Sequence, residues 1–379
     1  MTLVFSDDER LLAESARGFL AERSPVSAAR NLRDQHDIDG FSRELWAAVV
    51  ELGWAGMLVP EEYGGLGFSH AGAGIVCEEA GRVLAASPFF ATGVLGATIV
   101  REAGSVAQKR QILSAIAAGR LLLAVAVDEL ARHEPLAITT RAVAHGEGFA
   151  ITGRKTLVAD GHVADVLVIV ARTAGEAGVT EGLSLFLVDA GTPGLRVERT
   201  VMVDARNSAD LRLESVRVPR SALLGELGGG WAPLERTLDV GRVCLAAELL
   251  GIARECFART LDYLRQRKQF GVPIGSFQAL QHRAAQLFCE IELCRSVVLR
   301  ALRAPDEPGV ALGALASLAK AKAADTASLA VNESVQMHGG IGMTDALEIG
   351  FFMKRVAVAR QLFGDGYFHA DRLARLSGF

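Results

Sequence analysis

At 379 residues the chain is too long for one ordinary compact core and suits two or three domains. Half of it is hydrophobic and 22% is charged, which excludes a disordered chain, and a formal net charge of −4 argues against nucleic acid as the main partner, because phosphate binding needs a concentrated Lys/Arg surface. No stretch supplies the roughly 20 mainly apolar residues of a membrane-spanning helix, since Leu121–Val127 is too short and Val243–Ala253 is bounded by Arg242 and Arg254.

The N-terminal segment Met1–Arg10 is polar and acidic, unlike a secretory signal, so the expected location is the cytoplasm. Residues 1–120 read as helices joined by short loops. Asp7–Ser24, Ser42–Leu52 and Ala71–Leu84 carry apolar residues at helical spacing, interrupted by the turn chemistry of Pro60–Gly67. Near Leu121 the texture changes to short β-rich pieces, namely Thr139–Val143, Phe149–Thr152, Val166–Ala171, Leu183–Val188, Leu195–Val203 and Leu211–Val218. Gly, Asp and Pro separate them, which predicts a small β-barrel or sandwich over 121–225.

From Trp231 the helical period returns. Asp239–Arg265, Phe277–Arg303 and Ala311–Met337 read as long helices, with a loop at Ala304–Val310 and a break at Gly339–Gly342. The order is therefore helices, a β block, then a helical bundle over 226–379, an α+β chain whose junctions offer a ligand groove. Apolar content this high without a spanning helix implies extensive helix–helix burial, across subunits included. The five cysteines, Cys77, Cys244, Cys256, Cys289 and Cys294, show no CxxC spacing and no nearby His, and are expected as buried free thiols and not metal ligands.

The most informative string is Arg267-Lys268-Gln269-Phe270-Gly271-Val272-Pro273-Ile274, followed by Phe277, Gln278 and Gln281. It packs cations, amides and an aromatic into a turn between two helices. Arg267 has the fork geometry for a phosphate, Phe270 offers a stacking face, and Gln278 and Gln281 can hydrogen-bond a polar ligand. A second string, Gln336-Met337-His338-Gly339-Gly340-Ile341-Gly342, is a glycine-rich turn whose backbone N–H groups can approach a pyrophosphate.

These strings resemble the hallmarks of the acyl-CoA dehydrogenase family, Arg-x-Gln-Phe-Gly-x-Pro-Ile-x-x-Phe-Gln and Gln-x-x-Gly-Gly-x-Gly. Weaker likenesses extend the resemblance along nearly the full chain: Trp54–Gly67, Val125–Glu129 at the family's flavin loop, Gly153–Lys155 with Ala164 and Asp165, and Asp239 with Arg242 at the start of the first C-terminal helix. The resemblance implies an N-terminal helical domain, a middle β-barrel and a C-terminal four-helix bundle. It implies FAD as cofactor, an acyl-CoA thioester as substrate and electron-transfer flavoprotein as acceptor. The FAD is expected to meet Val127, Asp128, Gln336, Gly339 and Gly340, and Arg267, Gln269 and Phe270 to touch the FAD of a neighbouring subunit in a homo- or hetero-oligomer.

The family's chemistry needs a carboxylate to take the α proton. The usual Glu falls on Phe363 here, and the alternative position on Gly241. Two carboxylates are candidate replacements: Asp365, in a Gly-Asp-Gly turn, and Glu248, two helical turns beyond Gly241 in the apolar run Val243–Leu250. Arg242 completes the candidate set. The family Thr of the flavin loop aligns with Asp128, expected to face solvent because a carboxylate opposes the charge of reduced flavin. The shielding aromatic aligns with Leu157. The missing side chain at Gly241 suggests room for a wide acyl group. These departures resemble the small-subunit type of two-subunit enzymes such as the pimeloyl-CoA and steroid side-chain dehydrogenases. Three readings stay open: a catalytic dehydrogenase, a non-catalytic FAD-binding subunit, and a flavin oxidase or monooxygenase on the same fold.

Overall fold

The computed structural model describes residues 4–379, so residues 1–3 of the acidic N-terminal segment lie outside it. Helices α1 (Asp7–Arg23), α2 (Val26–Asp34), α3 (Arg43–Glu51) and α4 (His70–Val83) come first, followed by short α5 (Ala97–Ala103), α6 (Val106–Gln108) and α7 (Ser114–Ala117). The β block holds β1 (Leu123–Ala126), β2 (Arg141–His145), β3 (Gly148–Ala159), β4 (Val166–Arg172), β5 (Leu183–Asp189), β6 (Leu195–Val201), β7 (Asn207–Pro219) and β8 (Leu223–Leu224). Then come α8 (Trp231–Gln266), a hairpin of β9 (Lys268–Gln269) and β10 (Val272–Pro273), α9 (Gln278–Arg303), α10 (Leu312–His338), α11 (Ile349–Ala359) and α12 (Gly366–Leu376). No helix among the described residues is long and apolar enough to cross a membrane.

Two compact units form. One takes the chain up to Asn31, His70–Ala85 and Arg242–Phe379; the other takes Leu32–Ser69 and Ala86–Gly241. In the first unit, α1 starts on a capping box in which Glu9 N donates to Ser6 Oγ (3.2 Å) and Ser6 N to Glu9 Oε2 (2.8 Å). Where α4 meets α8, glycines let the backbones nearly touch. A Cβ on Gly81 would stand 2.2 Å from Glu248 O, and one on Gly251 1.9 Å from Glu78 O. Ion pairs of Glu79 with Arg17 (2.8 Å) and of Glu78 with Arg254 flank that contact. Gly251→Ala is expected to cost about 1–3 kcal/mol by forcing the helices apart. The check is the thermal midpoint against Gly18→Ala, whose added methyl meets nothing within 4 Å and should leave it unchanged or slightly higher.

The second unit is built on one sheet of order β6-β7-β3-β2-β4-β5-β8, with β1 parallel to β4. Leu167 to Ala171 of β4 are wholly buried, the run of apolar residues expected of a strand covered on both faces. Edge strand β6 is Leu-Arg-Val-Glu-Arg-Thr-Val, with Arg196 and Glu198 exposed and blunting the free edge. The core gathers Phe149, Ile151, Phe186, Leu211, Leu213 and Val216.

One expectation about the thiols is corrected. Four cysteines are buried, but Cys289 is exposed. On α9 the buried stripe runs through Ala284, Leu287, Ile291, Cys294 and Val298, and Cys289 lies off it beside exposed Phe288 and Leu293.

Candidate active site

In the helical unit, two buried cations grip the turn between α11 and α12. Arg242 Nε donates to Phe363 O (3.1 Å), and Lys320 Nζ donates to Arg360 O (3.1 Å) and Gly364 O (3.0 Å). Carbonyls at a helix C-terminus lack intrahelical donors, so cations are favoured there. Burial, and next the Arg242 charge, push Lys320 down to about 7 against the pull of Asp365. Lys320 was not among the sequence candidates. It shares the buried face of α10 with Ala316, Ala323 and Ala327, but alanine fills the other faces of that helix too, so nothing in the sequence singled it out.

The turn itself is tightly shaped. Phe363 has φ +58° and is buried, and a Cβ on Gly364 (φ +113°) would meet Phe368 at 2.4 Å. Asp365 is the N-cap of α12, with Oδ1 accepting from Phe368 N at 2.8 Å. Its Oδ2 makes no hydrogen bond among the described residues, and the residue is half-buried. Glu248 is differently placed. Its oxygens accept from Arg355 Nε (2.7 Å) and Nη2 (2.8 Å) in a bidentate pair whose side chains are 7% and 6% exposed.

The Arg-x-Gln-Phe-Gly string is a true hairpin, with Gln269 opposite Val272 and Lys268 opposite Pro273. Its two-residue tip, Phe270 (φ +52°) and Gly271 (φ +81°), is a type I′ turn. Phe270 is 93% exposed and stands edge-on to Phe277. Arg267 is exposed and has no carboxylate partner among the described residues. Gln278 is exposed, Gln281 bends back to donate to Gly275 O (3.0 Å), and Gln269 donates to Lys268 O (2.9 Å). At the end of α10, Gln336 is exposed, and Gly339 (φ +66°) and Gly340 have open space where side chains would stand. Next to them the His338 ring lies 4.4 Å from that of Tyr263.

In the sheet unit, Val127 and Asp128 follow β1. Asp128 does not simply face solvent. Its carboxylate is 14% exposed, pairs with His133 Nδ1 (2.8 Å) and accepts from Glu134 N (3.3 Å), because the chain doubles back over it. Beside it, Lys155 Nζ donates to Glu129 Oε1 (2.7 Å) and Val127 O (3.0 Å), and Glu129 also accepts from Thr139 N and Thr140 N. Burial alone pushes the Glu129 carboxyl up, but the Lys155 charge and these donors hold it at about 2. Burial lowers Lys155 despite that partner. Since the folded Glu129 value lies below the ordinary 4.5, its contribution to stability is whole above that pH and drains away as pH falls towards about 2. Glu129→Gln should flatten the acid limb of a stability–pH curve measured by thermal melts between those values.

Comparison with known proteins now bears on these arrangements. Three family models match in order: "Acyl-CoA dehydrogenase, N-terminal domain" over residues 6–120, "middle domain" over 128–216 and "C-terminal domain" over 228–377. The chain belongs to the acyl-CoA dehydrogenase family. A cyclohex-1-ene-1-carbonyl-CoA dehydrogenase of Syntrophus aciditrophicus is 32% identical over 94% of this chain and 86% of its own length. The butyryl-CoA dehydrogenase structure from Megasphaera elsdenii superposes with a TM-score of 0.91 at 25% identity, covering 100% of both chains. A chain of the ChsE4-ChsE5 complex from Mycobacterium tuberculosis gives 0.89 at 25% identity, again with 100% of both chains covered.

For an acyl-CoA dehydrogenase, the space at Gly241 needs correction. It is not open, because a Cβ there would meet Leu95 Cδ2 at 2.5 Å with Phe90 behind it at 3.7 Å. The glycine accommodates Leu95, and no room for a wide acyl group follows from it.

Proposed function

We propose that the chain carries out FAD-dependent α,β-dehydrogenation of an acyl-CoA thioester to the trans-2-enoyl-CoA, with Asp365 taking the α proton. The observation that carries the assignment is the contrast between the two carboxylates. Asp365 keeps Oδ2 unbonded in a turn whose backbone is held by Arg242 and Lys320, whereas Glu248 has both oxygens on Arg355. A carboxylate with a free lone pair at a fixed position is what proton transfer requires. Glu248 is assigned to the bundle's structure, and Arg242 to holding the turn.

The residues present suit FAD. Arg267 has no ion pair among the described residues, Phe270 is bare, and Gly339 and Gly340 leave their backbone open, a donor set for a pyrophosphate and a stacking ring. Gln269, Gln278, Gln281 and Gln336 add polar groups in the same unit; Val127 and Asp128 of the sheet unit are flavin contacts by the family resemblance. When bound, FAD supplies the two-electron acceptor for the β hydride. Projection of the Phe270 hairpin away from its own unit suits contact with a neighbouring subunit's FAD. Electron-transfer flavoprotein is the acceptor in this reading, and reduced cytoplasm is the compartment that keeps five thiols free.

A second reading, an FAD-binding subunit whose catalytic partner is another chain, draws on buried Phe363 at the position that resembles the family base, and on the likeness to the ChsE4-ChsE5 complex. Anaerobic titration of the FAD-loaded chain with a panel of acyl-CoAs separates the two. Bleaching of the flavin by this chain alone supports the first. Bound FAD without bleaching supports the second, and oxygen- or NADH-dependent turnover in place of bleaching refutes both.

A further inference from the structure

Strands β3 and β7 shift register once between Ile151 and Gly153, pair steadily from Gly153 opposite Leu213 to Lys155 opposite Leu211, and resume at Val158 opposite Ala209. Between those pairs, Thr156 and Leu157 of β3 face a single residue of β7, Asp210. Two residues against one is a β-bulge, which bends its strand and re-aims a side chain. Leu157 sits in it at φ +53°, a left-handed conformation that a bulky side chain resists unless its surroundings impose it.

The imposing group is the Asp210 carboxylate. Asp210 Oδ1 accepts from the Thr156 hydroxyl (2.7 Å) and from Leu157 N (3.1 Å), so one carboxylate oxygen fixes both bulge residues. Thr156 N in turn donates to Asp128 O (2.8 Å), and the adjacent Lys155 reaches Val127 O (3.0 Å). Val127, Asp128 and Leu157 are therefore held in one hydrogen-bonded assembly, and Asp210 is the side chain that locks its bulged part. On its other side Asp210 pairs in register with Glu198 of β6, which ties the bulge to two strands.

We propose that Asp210 is a positioning residue for the flavin: it fixes the Thr156–Leu157 bulge in the left-handed form that aligns Leu157 with the Val127–Asp128 edge as a single flavin-facing surface. This inference rests on the FAD reading above. It assigns Asp210 no contact with the reacting atoms. It acts through the bulge.

The test titrates FAD into deflavinated wild-type protein, Asp210→Ala, Asp210→Asn and Thr156→Val, following the quenching of FAD fluorescence, and then measures the flavin midpoint potential and visible spectrum of each loaded protein. Losing both hydrogen bonds should weaken FAD binding about tenfold in Asp210→Ala and shift its potential and spectrum. Asp210→Asn keeps an acceptor oxygen at the same place and should stay within about threefold of wild type. Thr156→Val, which removes one donor without touching the fold's packing, should fall between them. A loss of melting temperature alone, with affinity, potential and spectrum unchanged in Asp210→Ala, overturns the proposal. So does an unchanged Thr156→Val if Asp210→Ala does not fold. Wild-type protein that takes up no FAD would sink the FAD reading itself, and this inference with it, a result distinct from equal binding by wild type and variants.

Discussion

Replacing Asp365 by Asn is expected to slow anaerobic flavin reduction by acyl-CoA about 10²–10⁴-fold, the usual worth of a positioned general base. The substitution is chosen for what it keeps. Asn is as good an N-cap as Asp, so its side-chain oxygen still receives Phe368 N and α12 still starts in place. The melting temperature should hardly move, and acyl-CoA should still bind, measured by its perturbation of the flavin spectrum. Only the capacity to accept a proton is lost. Wild-type reduction rates in Asp365→Asn would remove Asp365 from the mechanism and leave the α proton to another group of this same chain.

Breaking the Glu248–Arg355 pair should have the largest effect on stability. Arg355→Met alone leaves a carboxylate buried without its bidentate donor, at a cost of about 3–5 kcal/mol. Adding Glu248→Leu should restore most of the loss, because an apolar pair of similar volume needs no desolvation of charge. Urea midpoints of the two single variants and the double variant form the cycle. Near-additive losses would show that the pair is not coupled, and the structural assignment of Glu248 would fall. Flavin reduction by the refolded double variant should match wild type, since neither residue is given a catalytic task.

The elements were legible in the sequence where one periodicity ran uninterrupted. The helical spacing of Asp7–Ser24 and Ala311–Met337 lands within a residue or two of α1 and α10, and Val166–Ala171 and Leu183–Val188 of β4 and β5. Helix α2 was missed because Val26–Asp34 is only nine residues long, with Val26 and Leu32 its only large apolar side chains, too few to repeat a helical spacing. The hairpin at Phe270 read as a plain turn, since type I′ turns favour Asn-Gly and this one is Phe-Gly. The site was legible in its types and not in its pairings. Glu248 stood out as a charge in an apolar run, but its partner is 107 residues away, beyond any local pattern. Lys320 hid among alanines, and Asp128 looked solvent-facing because nothing local announces that His133 folds back onto it.

The interleaving of the two units sets an order of events during synthesis. Helices α1 and α4 emerge from the ribosome early and pack on each other, yet the other surface that α4 buries against belongs to α8 and α9. All of Ala86–Gly241 must be made in between. At about 5–20 residues per second the delay is on the order of ten seconds. Throughout it the positions of α4 that meet α8 and α9, Gly74, Glu78 and Gly81, lack their native partners and have α1 alone for cover from their own unit, while the sheet unit can already close. That side of α4 is where the newborn chain waits longest for its native partners, although it is made early.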